Sequence, residues 1–276
     1  MNTTTTTMSP EMDALKTRLK STWEAGDYGV FAHYLETGAL EFFNRLDIAP
    51  GTKLLDIGCG AGQLTIPAAL RGIDVTGVDL AQNLVNQANT RAEVEGLKID
   101  IRQGDAEELP FGDNSFDITL SLIGSMFAPR PELVASEMVR VCRVGGEIIM
   151  GNWTPEGHVG QMFKVIGKHV PPPAIFPSPL MWGVEEKIRE RFGDSVTNLT
   201  VTKHLYPFIY PMPCGEVVDF FIKYYGPTLR SYNSLDDAGK EVFRQDLVDL
   251  FEANNCATDG STYIRGEYVV VRGTKA

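Results

Sequence analysis

Hydrophobic and polar positions change their rhythm twice along the chain. Up to about residue 50 the apolar positions return every three or four residues. Ser9-Pro10-Glu11 supplies a hydroxyl, a proline and an acid suited to a helix start, and Met12, Leu15, Leu19 and Trp23 then share one helical face. Gly26 and Gly29 interrupt the pattern, and a second helical stretch is expected from about Ala32 to Leu46, closing before Pro50-Gly51. From Lys53 short apolar runs alternate with helical patterns. Residues 53–57, 74–79, 98–103, 116–122 and 147–152 read as strands. Helices are expected up to about Arg71, from about Gln82 to Glu95, and from Arg130 to Cys142, where Gly145-Gly146 ends the last one. Such alternation implies a parallel sheet with helices on both faces.

Beyond Trp153 the rhythm loosens. Pro155, Pro171, Pro172, Pro173, Pro177 and Pro179 mark a loop-rich stretch, with helices expected over Glu156 to Lys168 and Val184 to Phe192. Leu199 to Tyr210 reads as a strand, Glu216 to Tyr225 and Asp236 to Ala253 as helices, and Tyr263 to Arg272 as a closing strand.

Composition narrows the function classes. The chain has 276 residues, 43% hydrophobic and 22% charged, which suits a globular enzyme with a full core. Its net charge is −11 with no basic run, so a phosphate-tracking groove, and nucleic acid as a partner, are not expected. No apolar stretch approaches the ~20 residues that span a bilayer. Met1 to Pro10 is polar and threonine-rich and reads as a disordered tail, not a signal peptide, so a cytoplasmic location is expected without membrane insertion. Cys59, Cys142, Cys214 and Cys256 are scattered and suggest neither a disulfide framework nor a metal site.

Three segments carry chemistry. Gly58-Cys59-Gly60-Ala61-Gly62 follows the first strand, where glycine lets a ligand approach the backbone at a helix start. Gln63 stands where a dinucleotide fingerprint would place its third glycine, which counts against an NAD dehydrogenase. Asp79 ends the second strand, 23 residues after Asp56. A carboxylate there can accept from a pair of ribose hydroxyls, or it can simply cap the next helix. After the third strand come Gly104-Asp105-Ala106-Glu107-Glu108-Leu109-Pro110-Phe111 and then Asp113-Asn114-Ser115-Phe116-Asp117.

With these segments in this order, the stretch from about Lys53 to Asn152 resembles the class I S-adenosylmethionine (SAM)-dependent methyltransferase superfamily. The similarity is to the branch of ubiquinone/menaquinone-type and small-molecule methyltransferases. It implies an α/β fold: a doubly wound, seven-stranded Rossmann-like sheet with its last strand antiparallel, N-terminal helices and a helical lid insertion. It implies SAM as cofactor, bound by Asp56, Gly58, Cys59, Gly60, Asp79 and Leu80, with Gly58 and Gly60 beside the methionine part and Asp79 at the ribose. Asp105 would accept from the adenine amino group, the Ala106 N–H would bond a ring nitrogen, and Leu122 would border the cofactor after the fourth strand. Val144 departs from the proline usual before Gly145-Gly146. The organisation expected is a tail at 1–10, an N-terminal helical part of the lid at 11–49, the SAM-binding core at 50–153, and completion of the sheet at 154–276. Lid insertions would fall at about 154–183 and 211–256.

The acceptor side is less defined. Ile123-Gly124-Ser125, Asn152 and Trp153 follow strand ends and should border the reactive methyl. Val217, Phe220, Phe221, Tyr224 and Tyr225 form one wide helical face, either a core stripe or a lid over an acceptor pocket. Trp153, Phe221, Tyr224 and Tyr225 are the candidate lid residues. His158 follows the fifth strand and is a weak candidate for a general base, a surface or capping role being the alternative. The function expected is methyl transfer to a small aromatic or apolar metabolite, which would be the partner. A non-catalytic SAM-binding regulatory module and an RNA or protein methyltransferase are the alternatives.

Overall fold

The computed structural model describes residues 9–276. The tail expected at 1–10 therefore lies, apart from Ser9 and Pro10, outside the described residues. Helix α1 (Pro10–Trp23) begins where the sequence placed it, with the Ser9 hydroxyl accepting from the Met12 N–H at 3.2 Å. The second stretch is not one helix. A further short helix, α2 (Tyr28–Ala32), forms where the glycines read as an interruption, and a 3₁₀ turn (His33–Leu35) then leads into α3 (Glu36–Asn44). At this break the Tyr206 hydroxyl donates to the Leu35 carbonyl at 2.5 Å, and its ring lies where Gly38 leaves room.

The alternating region forms β1 (Lys53–Ile57), α4 (Thr65–Leu70), β2 (Asp74–Asp79), α5 (Gln82–Val94), β3 (Asp100–Gln103) and β4 (Phe116–Leu122). It continues with α6 (Pro131–Val141), β5 (Cys142–Trp153), α7 (His158–His169) and α8 (Glu185–Phe192). Strand β5 starts earlier than its apolar run. Phe116 pairs with Cys142 before the register slips, and the Gly145 turn (φ 72°) is absorbed as an irregularity. Then come β6 (Val196–Tyr210), α9 (Cys214–Tyr224), α10 (Gly226–Asn233), α11 (Asp237–Asn254) and β7 (Thr262–Lys275). Helix α10 was masked in the sequence by its Gly226-Pro227 start, which reads as a breaker but serves as a helix beginning.

The seven strands lie in the order β3-β2-β1-β4-β5-β7-β6, with β7 antiparallel to both neighbours, so the doubly wound α/β sheet with an antiparallel last strand is as expected. Every residue of β1 beyond Lys53 is buried, as a strand covered on both faces requires. The chain leaves β1 for β2 on one side and later returns to β4 on the other. This reversal opens a crevice at the carboxyl ends of β1 and β4.

The antiparallel pair serves that crevice too. Trp153, the last residue of β5, faces Tyr268, but β7 and β6 stay paired for six residues more, to Tyr210 opposite Thr262. At ~3.3 Å per residue the pair overhangs the sheet by about 20 Å. Residues 211–261, with α9 to α11, are inserted at that overhang and so are delivered to the carboxyl edge. Among the described residues no helix is long and apolar enough to cross a membrane.

Helix α3 locks this corner. Phe42 is buried against the space left by Gly151 of β5, with its ring 6.4 Å from that of Tyr268. Truncation at such a site costs about 3–5 kcal/mol. Phe42→Ala should lower unfolding stability by that amount in a urea titration; a loss below about 1 kcal/mol would mean that α3 is not part of the core.

Candidate active site

A cavity opens in the crevice, and its floor is the glycine loop. Gly58, Gly60 and Gly62 have φ of 69°, 56° and 84°, values that glycine adopts without a Cβ clash. Gly58 is doubly constrained, since a Cβ there would come within 2.7 Å of the Gly124 Cα. The Gly58 and Cys59 N–H groups both donate to the Val78 carbonyl, at 2.8 and 3.1 Å, fastening the loop to β2.

Asp79 completes the fastening. Its carboxylate accepts from the Gly60 N–H and the Ala81 N–H, each at 2.9 Å, so it joins the glycine loop to the turn that precedes α5. Burial raises its pKa against these two hydrogen bonds, and each oxygen keeps a lone pair for a further donor. The acid expected from the sequence as a ribose ligand or a helix cap is not a cap, since Ala81 holds the N-cap position of α5 without a side-chain cap; in the structure it ties the glycine loop to the end of β2.

Asp56 is buried below the loop, accepting from the Thr65 hydroxyl at 2.7 Å. Burial pushes its carboxyl up to about 7. Cys59 beside it is also buried, and desolvation raises its thiol well above the usual range, so it stays a neutral packing group.

At the next wall Asp105 accepts from the Glu107 N–H at 2.9 Å and pairs with Lys16, a residue of α1. Leu80, Ala106 and Leu122 line the same cavity, as do Asp56, Gly58, Cys59, Gly60, Asp79 and Asp105. All nine residues expected at a cofactor are therefore brought together. Ile123, just past β4, holds φ 69° although it is β-branched, and is kept there by its N–H donating to the Gly151 carbonyl at 2.7 Å.

The opposite walls are aromatic. Trp153, Phe221 and Tyr225 line the cavity, but Tyr224 does not. Tyr224 packs on Phe220 with rings 4.9 Å apart and lies under the Lys223 ammonium. Elements distant in sequence close the roof: Phe31 of α2 meets Phe221 at 4.7 Å and Tyr225 at 4.8 Å, while Trp23 of α1 meets Phe127 at 4.9 Å. Tyr28 sits between the glycine loop and Tyr225, its hydroxyl kept protonated by burial and by the Asp79 charge.

His158 is set apart. It is buried outside the lining, edge-on to Phe251 at 4.6 Å and near Phe208 at 6.0 Å, with both ring nitrogens unpaired. Burial pushes it down to about 4, too low for efficient general-base work near neutral pH. Among the described residues no cluster of three or more His, Cys, Asp and Glu side chains could hold a metal ion.

Lys16, Tyr28 and Gln63 belong to the lining without having been singled out from the sequence. Lys16 stands at helical spacing before Leu19 and Trp23, so a cation inside an inward stripe was the available signal.

The chemistry of these walls suits a cationic ligand that carries hydroxyls. The glycines leave a cradle, the acid at Asp79 can accept more donors, and Gln63 Nε2 and Ser125 Oγ are buried lining atoms without a partner.

Comparison with known proteins points the same way. Residues 55–150 match the family model described as a methyltransferase domain. The chain is 36% identical to the uncharacterized protein Rv1403c of Mycobacterium tuberculosis over 98% of both chains. It is 39% identical to a phosphatidylethanolamine N-methyltransferase of Cereibacter sphaeroides, over 38% of this chain and 52% of that protein. A putative methyltransferase from Bacillus halodurans shares the fold, with a TM-score of 0.57 and 21% identity over 86% of this chain and 98% of that one.

The raised Asp56 pKa has a testable sign. A carboxyl whose folded pKa lies above its unfolded value contributes stability at low pH and loses it as pH rises through the folded pKa. Asp56→Asn, which keeps an acceptor for Thr65, should therefore gain melting temperature relative to wild type between about pH 5 and about pH 8. Parallel melting curves across that range would place the Asp56 pKa in the ordinary range.

Proposed function

We propose that the chain, whose residues 55–150 match a methyltransferase domain, is a class I SAM-dependent methyltransferase that transfers the methyl group of SAM to a small, aromatic or otherwise apolar metabolite. One observation carries the acceptor half of this reading: Asp56 and Asp79 lie on the glycine-loop side and Lys16 of α1, the one lining cation among the described residues, is already paired with Asp105, while the other lining side chains from α1, α2, β5, β6 and α9 are aromatic and aliphatic. A charged acceptor buried there would go unpaired at a cost of several kcal/mol.

SAM supplies an electrophilic methyl on a sulfonium when it is bound. The chain's own contribution is to bind, orient and exclude water. Asp79 would take the ribose hydroxyls, Gly58 and Gly60 would admit the methionine part, and Asp105 with the Ala106 N–H would read the adenine. Trp153, Phe221 and Tyr225 would press the acceptor toward the methyl, and a dry aromatic enclosure disfavours hydrolysis while holding a reactive geometry. No lining side chain is assigned as a general base: Tyr28 and Tyr225 are held protonated by burial, Tyr206 donates to the backbone, and Asp56, though pushed up to about 7, is buried beneath the glycine loop and engaged with Thr65. The reading therefore favours acceptors that are nucleophilic without help from the protein.

The direct test is to incubate purified protein with methyl-labelled SAM and fractionated small-molecule extract. A labelled apolar product with equimolar S-adenosylhomocysteine is expected, whereas labelling confined to charged metabolites or macromolecules would reject the acceptor class.

Two variants separate the halves of the cavity. Asp79→Ala should weaken SAM binding by at least about tenfold in calorimetric titration, and Asp79→Asn by less, since charged hydrogen bonds are lost in both but one acceptor survives in the amide. Phe221→Leu keeps bulk while removing the ring, so it should raise the acceptor KM by about tenfold and leave SAM affinity unchanged. Equal effects on both ligands would make the aromatic helix a core element.

A further inference from the structure

Lys16 makes an ion pair across the cavity. Its ammonium reaches Asp105 and also Glu107, the latter at 2.5 Å. Lys16 is 13% exposed and Glu107 wholly buried, so the pair is far less screened than a surface bridge. Glu107 does not need Lys16 for neutralisation. Arg130 already gives it a backbone N–H at 2.7 Å, Nε at 2.8 Å and Nη2 at 2.7 Å. The positive charge of Lys16 is thus left for Asp105, whose other oxygen is taken by the Glu107 N–H.

The position of Lys16 gives this pair a purpose. Lys16, Leu19 and Trp23 fall at i, i+3 and i+7, and all three line the cavity. They are the inner face of α1, which closes the cavity over Asp105 and Ala106. The far end of α1 is pinned separately. The Arg230 guanidinium donates to the Ser21 carbonyl at 2.9 Å, and Gly226 lies so near the Thr22 carbonyl that a Cβ would approach within 2.0 Å. Gly26, with φ 72°, follows directly. The helix is therefore fixed at its end and fastened at its middle by one cation.

Resting on the cofactor reading above, we propose that Lys16 is a residue of the SAM site: it shares Asp105 with the adenine and fastens α1 over the bound cofactor. Asp105 has lone pairs for both, so the ammonium and the adenine amino group add their hydrogen bonds on one carboxylate. Entry and release then require Lys16 to leave Asp105 and α1 to lift. By reciprocity, SAM bound beneath α1 stabilises the closed helix as much as the closed helix stabilises SAM.

Stopped-flow release of SAM from wild type, Lys16→Met and Lys16→Arg tests this. Lys16→Met should release SAM at least about tenfold faster, and Lys16→Arg, which keeps the charge, should stay within about threefold of wild type. Hydrogen exchange on wild type alone supplies a second readout: amides of Lys16 to Trp23 should exchange more slowly with SAM than without it. Equal release from Lys16→Met and wild type, or exchange in α1 indifferent to SAM, would overturn the role of Lys16 while leaving the cofactor reading intact. Wild type that binds no SAM in the titration would instead overturn the cofactor reading, and this proposal with it.

Discussion

The carboxylate of Asp79 is the interaction on which the site depends. It joins the end of β2 to the loop after β1 by accepting from Gly60 and Ala81. Those two strands are adjacent and parallel, so their carboxyl ends would lie side by side in any register-preserving sheet. The carboxylate converts that adjacency into a fixed loop shape. Without it three glycines at positive φ would have many conformations available, since freedom of the backbone is what glycine brings. Desolvation of this acid raises its pKa, and the backbone donors of Gly60 and Ala81 offset part of that cost.

Around this anchor the remaining walls come from parts of the chain that share no local logic. Helices α1 and α2 precede the sheet, Trp153 ends β5, and Phe221 and Tyr225 follow β6. What gathers them is aromatic contact: Phe31 alone meets Phe220, Phe221 and Tyr225 at centroid distances of 6.0, 4.7 and 4.8 Å. Edge-to-face and offset pairs contribute about 0.5–1.5 kcal/mol each beyond burial. A roof built this way is held by several modest contacts and one ion pair, which suits a part that must open.

Much of this was legible in the sequence, for identifiable reasons. Strands β1, β2 and β4 are buried on both faces and appear as apolar runs with sharp ends, so their bounds were readable to the residue. The glycine loop, Asp79 and Asp105 announce themselves because chemistry constrains their residue types. The break between α2 and α3 was hidden, and the hydroxyl that takes up a carbonyl there, that of Tyr206, lies 171 residues away. The division of the aromatic stripe was hidden as well. Phe221, Tyr224 and Tyr225 read as one broad helical face, but α9 ends at Tyr224 and the extended backbone of Tyr225 carries its ring to the cavity that Tyr224 does not line. His158 shows the same limit, since chain position placed it near the site and packing between Phe208 and Phe251 removed it.

Tyr210 and Thr262, where the chain leaves and rejoins the sheet, are cross-strand partners. Paired residues stand only about 5 Å apart, so everything between them is a closed excursion whose two feet share one foothold. Lengthening such an excursion adds little entropy cost, since closure grows only with the logarithm of its length. Shortening or replacing it leaves β6 and β7 in register. The excursion is still not a free-standing cassette: through Arg230 and Gly226 it also grips the end of α1, so a replacement segment would inherit the duty of holding a helix that lies some two hundred residues earlier in the chain.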